Sequence, residues 1–159
     1  MKTYNILFLC THNSGRSILG EALASTQTNG RFIGYSAGST PGSGVNPFAK
    51  ELVAQMGYPV EKLRSKSWDE FSLTDSPKMD FIITVCDNAA GEVCPVWVGN
   101  PVTAHWAYPD PSRVQGSDDE KRLAFKEVMR GLNTRIQALA NIPIDQLDRM
   151  SLAARVRQL

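Results

Sequence analysis

The chain has 159 residues, 42% of them hydrophobic and 21% charged, with 17 basic against 16 acidic side chains. That length suits one domain able to bury its own core without a disulfide or metal staple, and the composition excludes a disordered chain. A net charge of +1 leaves no electrostatic footprint for nucleic acid or an anionic membrane, and no apolar run approaches the ~20 residues that cross a bilayer.

The first predicted element is a strand over Tyr4 to Leu9, nearly continuously apolar from Ile6, the pattern of a strand buried on both faces of a parallel sheet. A polar loop, Thr11 to Arg16, leads into a helix opening at Ser17, with Ile18, Leu19, Ala22 and Leu23 on one face. Asn29-Gly30 breaks the chain before a second strand, Phe32 to Ser36, and Ser39 to Gly44 is a loop. Asn46 is placed to cap a second helix with Pro47 at its first position; Phe48, Leu52, Val53 and Met56 form its stripe and Gly57 ends it.

Between Val60 and Lys78 only short helical pieces are expected, around Ser67 to Phe71. Phe81 to Val85, short and rich in β-branched residues, is the strongest strand signal and runs into Cys86; Val102 to Trp106 is a weaker one. A Pro-rich stretch, Tyr108 to Ser112, precedes a long helix from about Ser117 to Ala140, opened by a Ser117/Glu120 capping box. Residues 143–159 form a C-terminal extension expected to hold a short amphipathic helix carrying Arg149, Arg155 and Arg157. Strands alternating with helices predict an α/β sandwich on a mostly parallel sheet.

The most specific segment is Cys10-Thr11-His12-Asn13-Ser14-Gly15-Arg16-Ser17, between a buried strand and a helix. Ligands of open parallel sheets bind beyond the carboxyl ends of the strands. A short loop entering a helix there turns backbone N–H groups and the positive end of the helix dipole toward one point, a cradle for a tetrahedral oxyanion. Arg16 adds a bidentate clamp. The same field lowers a thiol's pKa from ~8.5 toward ~3.5–7.5, which makes Cys10 a nucleophile at the base of an anion nest. Ser17 is placed to donate to its thiolate, and Asn13 to hold the loop's shape.

The first ten residues contain no signal-peptide core, since Thr11-His12-Asn13 interrupts the short apolar start. The protein is therefore expected in the cytoplasm. Three cysteines there, an odd number, point to chemistry rather than a closed set of disulfides.

With its flanking strand, CTHNSGRS resembles the oxyanion loop of the low-molecular-weight protein tyrosine phosphatases and of the arsenate reductases built on their fold. The resemblance runs from Tyr4 to about Ala140 and includes Tyr35-Ser36-Ala37-Gly38-Ser39. It implies a three-layer α/β sandwich with a four-stranded parallel sheet over residues 1–142 and helices on both faces. It also implies substrate contacts from Thr11, His12, Asn13, Ser14, Gly15, Arg16 and Ser17, with His12 and Gly15 tuning loop shape rather than performing chemistry.

Asp110, between Pro109 and Pro111, is by itself ordinary turn chemistry; the resemblance places it at the family's general-acid position. The phosphatases continue this loop with tyrosines that pack on a substrate ring, whereas Ser112-Arg113-Val114 stand here. A phosphatase also needs only one cysteine. Cys86 and Cys94, separated by the small and polar segment Asp87 to Val93, are either incidental core thiols or a disulfide pair. They resemble the two extra cysteines of the thioredoxin-coupled arsenate reductases.

The implied function is reduction of arsenate to arsenite by Cys10, Arg16, Asp110, Cys86 and Cys94, with phosphatase activity as the alternative. No bound cofactor is expected. The reductant would be an external thiol system, thioredoxin or a glutaredoxin type, and phosphate or sulfate would compete with arsenate. Some of these reductases hold a potassium ion near the loop, and Asn13, Glu21 and Ser36 match three of its ligand positions. The fourth falls near Trp68, which cannot ligate a cation, so no metal is expected. His12 and His105 have no partners at metal spacing.

Overall fold

The computed structural model describes residues 2–42, 44–85 and 101–159. Cys86 and Cys94 therefore lie outside the described residues.

Four parallel strands, β1 (Tyr4–Cys10), β2 (Phe32–Gly38), β3 (Phe81–Thr84) and β4 (Val102–His105), form one sheet in the order β2-β1-β3-β4. The alternation of side chains along each strand divides the core in two. Ile6, Phe8, Phe81, Ile83, Val102 and Ala104 face one cluster; Leu7, Leu9, Ala37 and Ile82 face the other. With both faces covered, β1 is buried almost throughout, the reason its sequence reads as a continuous apolar run.

Among the described residues the α-helices are α1 (Arg16–Thr26), α2 (Pro47–Gln55), α3 (Asp118–Ala140) and α4 (Arg149–Arg157). The expected caps are present. The Asn46 side chain accepts from the Phe48 N–H, and Ser117 with Glu120 closes a reciprocal capping box. Residues from all four helices join the same cluster, so among the described residues the α-helices lie on one face. The other face is covered there by the 3-10 turn Trp68–Phe71 and Met79 rather than by an α-helix. Leu7, Leu9 and Ile82 need apolar cover, and among the described residues Trp68, Phe71 and Met79 supply it.

Residues 143–159 pack into the main core through Ile144, Leu152 and Val156. The indole N–H of Trp106 donates to the Val156 carbonyl at 3.2 Å. On the outer edge of β4, Arg149 donates to the Pro101 carbonyl at 2.8 Å and Arg157 to that of Thr103 at 3.1 Å. These arginines occupy carbonyls that an edge strand would otherwise offer to another chain.

Two glycines of β2 set how closely other elements approach. A Cβ on Gly34 would lie 2.3 Å from the Glu21 carbonyl oxygen of α1, and one on Gly38 would lie 2.6 Å from the Thr11 carbonyl oxygen. Both obstacles are backbone and cannot rotate away. Gly34→Ala is expected to lower unfolding stability by about 2–3 kcal/mol, the usual cost of overpacking, read as a lower urea midpoint at unchanged slope. A native midpoint would contradict the close packing of α1 on β2.

Candidate active site

β1 ends at Cys10, α1 begins at Arg16, and the loop between them is held by its carbonyls. Those of Cys10, Thr11, His12 and Ser14 accept from the backbone N–H groups of Ser39, Thr40, Gly42 and Asn46 at 2.8–3.2 Å. The Asn13 carbonyl accepts from the Ser65 hydroxyl at 2.8 Å. In a trans peptide the N–H points opposite to the C=O, so carbonyls tied to the outside leave the N–H side of those peptides facing inward. Such a concavity attracts anions, and the start of α1 adds its dipole. Asn13 makes the bend at φ 52°, a left-handed conformation that asparagine tolerates.

Cys10 is buried, its Sγ 2.8 Å from the Ser17 hydroxyl. Asn13 Nδ2 donates to that hydroxyl at 2.8 Å. Because the Ser17 oxygen is thereby an acceptor toward Asn13, its own hydrogen remains available for the cysteine sulfur. His12 is exposed, its Nδ1 3.1 Å from the Thr40 carbonyl.

Arg16, where the loop ends, and Asp110 are 94 positions apart in sequence and meet in space. Arg16 Nη1 donates to the Tyr108 carbonyl at 2.8 Å, and Nη2 lies 3.7 Å from Asp110 Oδ2. Asp110 opens a 3-10 turn, Pro111–Arg113, and accepts from the Ser112 N–H at 3.0 Å and the Ser112 hydroxyl at 2.7 Å. Burial opposes its ionisation. The two Ser112 hydrogen bonds, with the charges of Arg16 and Arg113, outweigh burial and hold the carboxyl below the ordinary aspartate range. Arg113 lies 3.8 Å from the carboxylate, its side chain 82% exposed. At this position the loop presents a charge rather than an aromatic wall.

Arg16 is expected to be the clamp for a bound oxyanion. Arg16→Lys keeps the charge but loses the planar fork; inorganic phosphate should bind about tenfold more weakly, ~1.4 kcal/mol, by titration calorimetry. Unchanged affinity would place the anion elsewhere.

The expected fourth position of a cation site near Trp68 is corrected. Trp68 belongs to the core on the far face of the sheet, and the side chain near Asn13, Ser36 and Glu21 is Lys66. Its Nζ is 3.3 Å from Asn13 Oδ1, 3.4 Å from the Ser36 hydroxyl, 3.0 Å from the Arg64 carbonyl and 3.8 Å from Glu21 Oε1. A potassium ion does not fit where a tethered ammonium already takes these oxygens. Lys66 lies in a stretch without clear periodicity, and only its tertiary placement marks it out. Among the described residues no group of three His, Cys, Asp or Glu side chains could hold a metal ion.

Cys86 and Cys94, the other two predicted site residues, are outside the described residues. Val85, the last described residue before them, lies against the end of β1: its N–H donates to the Leu9 carbonyl at 2.9 Å. Beside it, the Thr84 hydroxyl and His105 Nδ1 are 2.5 Å apart.

The family model described as low molecular weight phosphotyrosine protein phosphatase matches residues 5–152. An arsenate reductase of Halalkalibacterium halodurans is 34% identical over 135 residues, covering 85% of this chain and 94% of the relative. Among solved structures, an arsenate reductase from Archaeoglobus fulgidus aligns with a TM-score of 0.65 at 26% identity, over 86% of this chain and 99% of that one. A thioredoxin-dependent arsenate reductase of Corynebacterium glutamicum aligns with a TM-score of 0.56 at 27% identity, over 86% of this chain and 60% of that one.

Proposed function

We propose that this chain, which belongs to the low molecular weight phosphotyrosine protein phosphatase family, reduces arsenate to arsenite. The observation that carries the reading is the buried Cys10 at the base of an outward-tied loop whose far end, Arg16, pairs with Asp110. Relatives named arsenate reductase, matched over most of their length, support it. So does the loop after Asp110, where an exposed arginine stands in place of apolar packing for a substrate ring.

The Cys10 thiolate attacks arsenate held by the loop N–H groups and Arg16. Asp110 gives a proton to the departing oxygen, and a sulfur–arsenic bond forms as water leaves. The Cys86 thiolate then attacks the Cys10 sulfur. The electron pair of the sulfur–arsenic bond passes to arsenic, arsenite departs, and a Cys10–Cys86 disulfide remains. Cys94 attacks Cys86, the Cys10 thiolate leaves, and a Cys86–Cys94 disulfide carries the two oxidising equivalents. An external dithiol reduces that pair, restoring the protein.

Thioredoxin is the reductant this reading favours, since one arsenate consumes two electrons and a dithiol supplies both. No described helix is long and apolar enough to cross a membrane, and the proposed site of action is the cytoplasm. Arsenate-dependent oxidation of NADPH in the presence of thioredoxin and its reductase tests the function. Arsenate should drive oxidation, and para-nitrophenyl phosphate should be hydrolysed slowly. Rapid hydrolysis of the phosphoester with no arsenate-dependent oxidation, with thioredoxin or with glutaredoxin and glutathione, would establish the phosphatase instead.

A further inference from the structure

A chain of hydrogen bonds with one polarity leads from Lys66 to Cys10. The Lys66 backbone N–H donates to Asn13 Oδ1 at 3.0 Å, which fixes the orientation of the Asn13 amide. Its Nδ2 therefore donates to the Ser17 hydroxyl, and Ser17 faces the Cys10 sulfur. The Lys66 ammonium lies at the head of this chain, against the same Asn13 oxygen, in a side chain 8% exposed.

The ammonium is balanced by Glu21, itself 5% exposed, which accepts from Ser36 at 2.5 Å and Tyr58 at 2.6 Å. Burial lowers the proton affinity of Lys66 and the Glu21 carboxylate works against that; Arg64, Glu70 and Cys10 are the other charged or titratable groups that act on it. Arg64 is held outward by its pair with Glu70. Burying an ammonium is costly unless it is paired and hydrogen-bonded, and here every partner belongs to the nucleophile's loop or to the elements that hold it.

We propose that the Lys66 ammonium is a positioning group for the nucleophile: it supplies a fixed, buried positive charge at the head of the Asn13–Ser17–Cys10 chain and thereby favours the thiolate. Each donor in the chain is polarised by the one before it. Lys66 also cancels the Glu21 carboxylate, whose unbalanced charge would oppose ionisation of Cys10. The backbone N–H already orients the Asn13 amide, so the side chain's contribution is its charge. The inference rests on Cys10 being the nucleophile, but not on which oxyanion it attacks.

The test is the pH dependence of Cys10 alkylation by iodoacetamide, followed by peptide-resolved mass spectrometry so that Cys86 and Cys94 do not contribute. Lys66→Met retains the backbone N–H and the length of the side chain while removing its charge. Its alkylation midpoint is expected to rise by about one pH unit, so that Cys10 reacts about tenfold more slowly at a pH below both midpoints. Lys66→Arg is expected to keep the midpoint near the native one.

Glu21→Gln with Lys66→Met removes the unbalanced carboxylate and guards against a single variant that fails to fold. Its midpoint should still exceed the native value. An unchanged midpoint in either folded methionine variant, or a shift in Lys66→Arg as large as in Lys66→Met, would overturn the proposal. Arsenate turnover is not the readout, so a failure here is distinct from a failure of the reductase assignment.

Discussion

Cys10→Ser is expected to abolish arsenate turnover, by a factor on the order of 10⁴–10⁶, while the protein stays folded and still binds phosphate. The sulfur sits where β1 meets the loop, 2.8 Å from the Ser17 hydroxyl, and a hydroxyl fits the same space. What is lost is an ionisable nucleophile: a thiol at a helix N-terminus can react as the thiolate, whereas a serine hydroxyl stays neutral. Phosphate binding should be retained or strengthened, since a neutral hydroxyl no longer opposes the anion. Arsenite formation in a single turnover and phosphate affinity by calorimetry measure the two quantities. Turnover within tenfold of the native protein would place the nucleophile at another residue.

Asp110→Asn is expected to cost about 10²–10⁴-fold in arsenate turnover, the usual contribution of a positioned general acid, with phosphate affinity changed little. Asparagine can still accept from Ser112, so the 3-10 turn at Pro111–Arg113 should persist. The pH profile carries further information. In the free protein Asp110 is held below the ordinary aspartate range by Ser112, Arg16 and Arg113 against the opposing effect of burial. A bound oxyanion draws Arg16 away and sets negative charge beside the carboxylate; both changes raise its proton affinity. Turnover should therefore fall as pH rises through the carboxyl's pKa in the complex, a basic limb that Asp110→Asn loses. A variant with native rate and profile would leave the leaving oxygen to be protonated by some other group.

What could be read from sequence follows the range of the interactions. β1 and β3 are legible because burial on both faces selects continuous apolar runs. β4 is weaker because only Val102 and Ala104 face the core while Thr103 and His105 are exposed. The nucleophile loop is legible because its function needs consecutive residues. Cys10, Asn13, Arg16 and Ser17 lie within one turn of chain, and Gly38 answers a contact made by the same loop.

Contacts made through space are another matter. Nothing in the segment from Val60 to Lys78 separates Lys66 from a solvated surface lysine, and the assignment of the cation position to Trp68 missed it by two residues. The meeting of Arg16 with Asp110 depends on β4 returning the chain to the sheet's carboxyl end, a topological fact with no local signature. Among the described residues, cover of the second sheet face likewise comes from Met79 and from two aromatic residues in a four-residue turn, too short for any periodicity to reveal.

In the proposed mechanism one nucleophile and two relay thiols act in sequence. Mass spectrometry of the protein after one arsenate turnover without external reductant tests it most directly. The expected product is a Cys86–Cys94 disulfide with Cys10 free and alkylatable; arrest at a modified Cys10, with no disulfide formed, would overturn the relay.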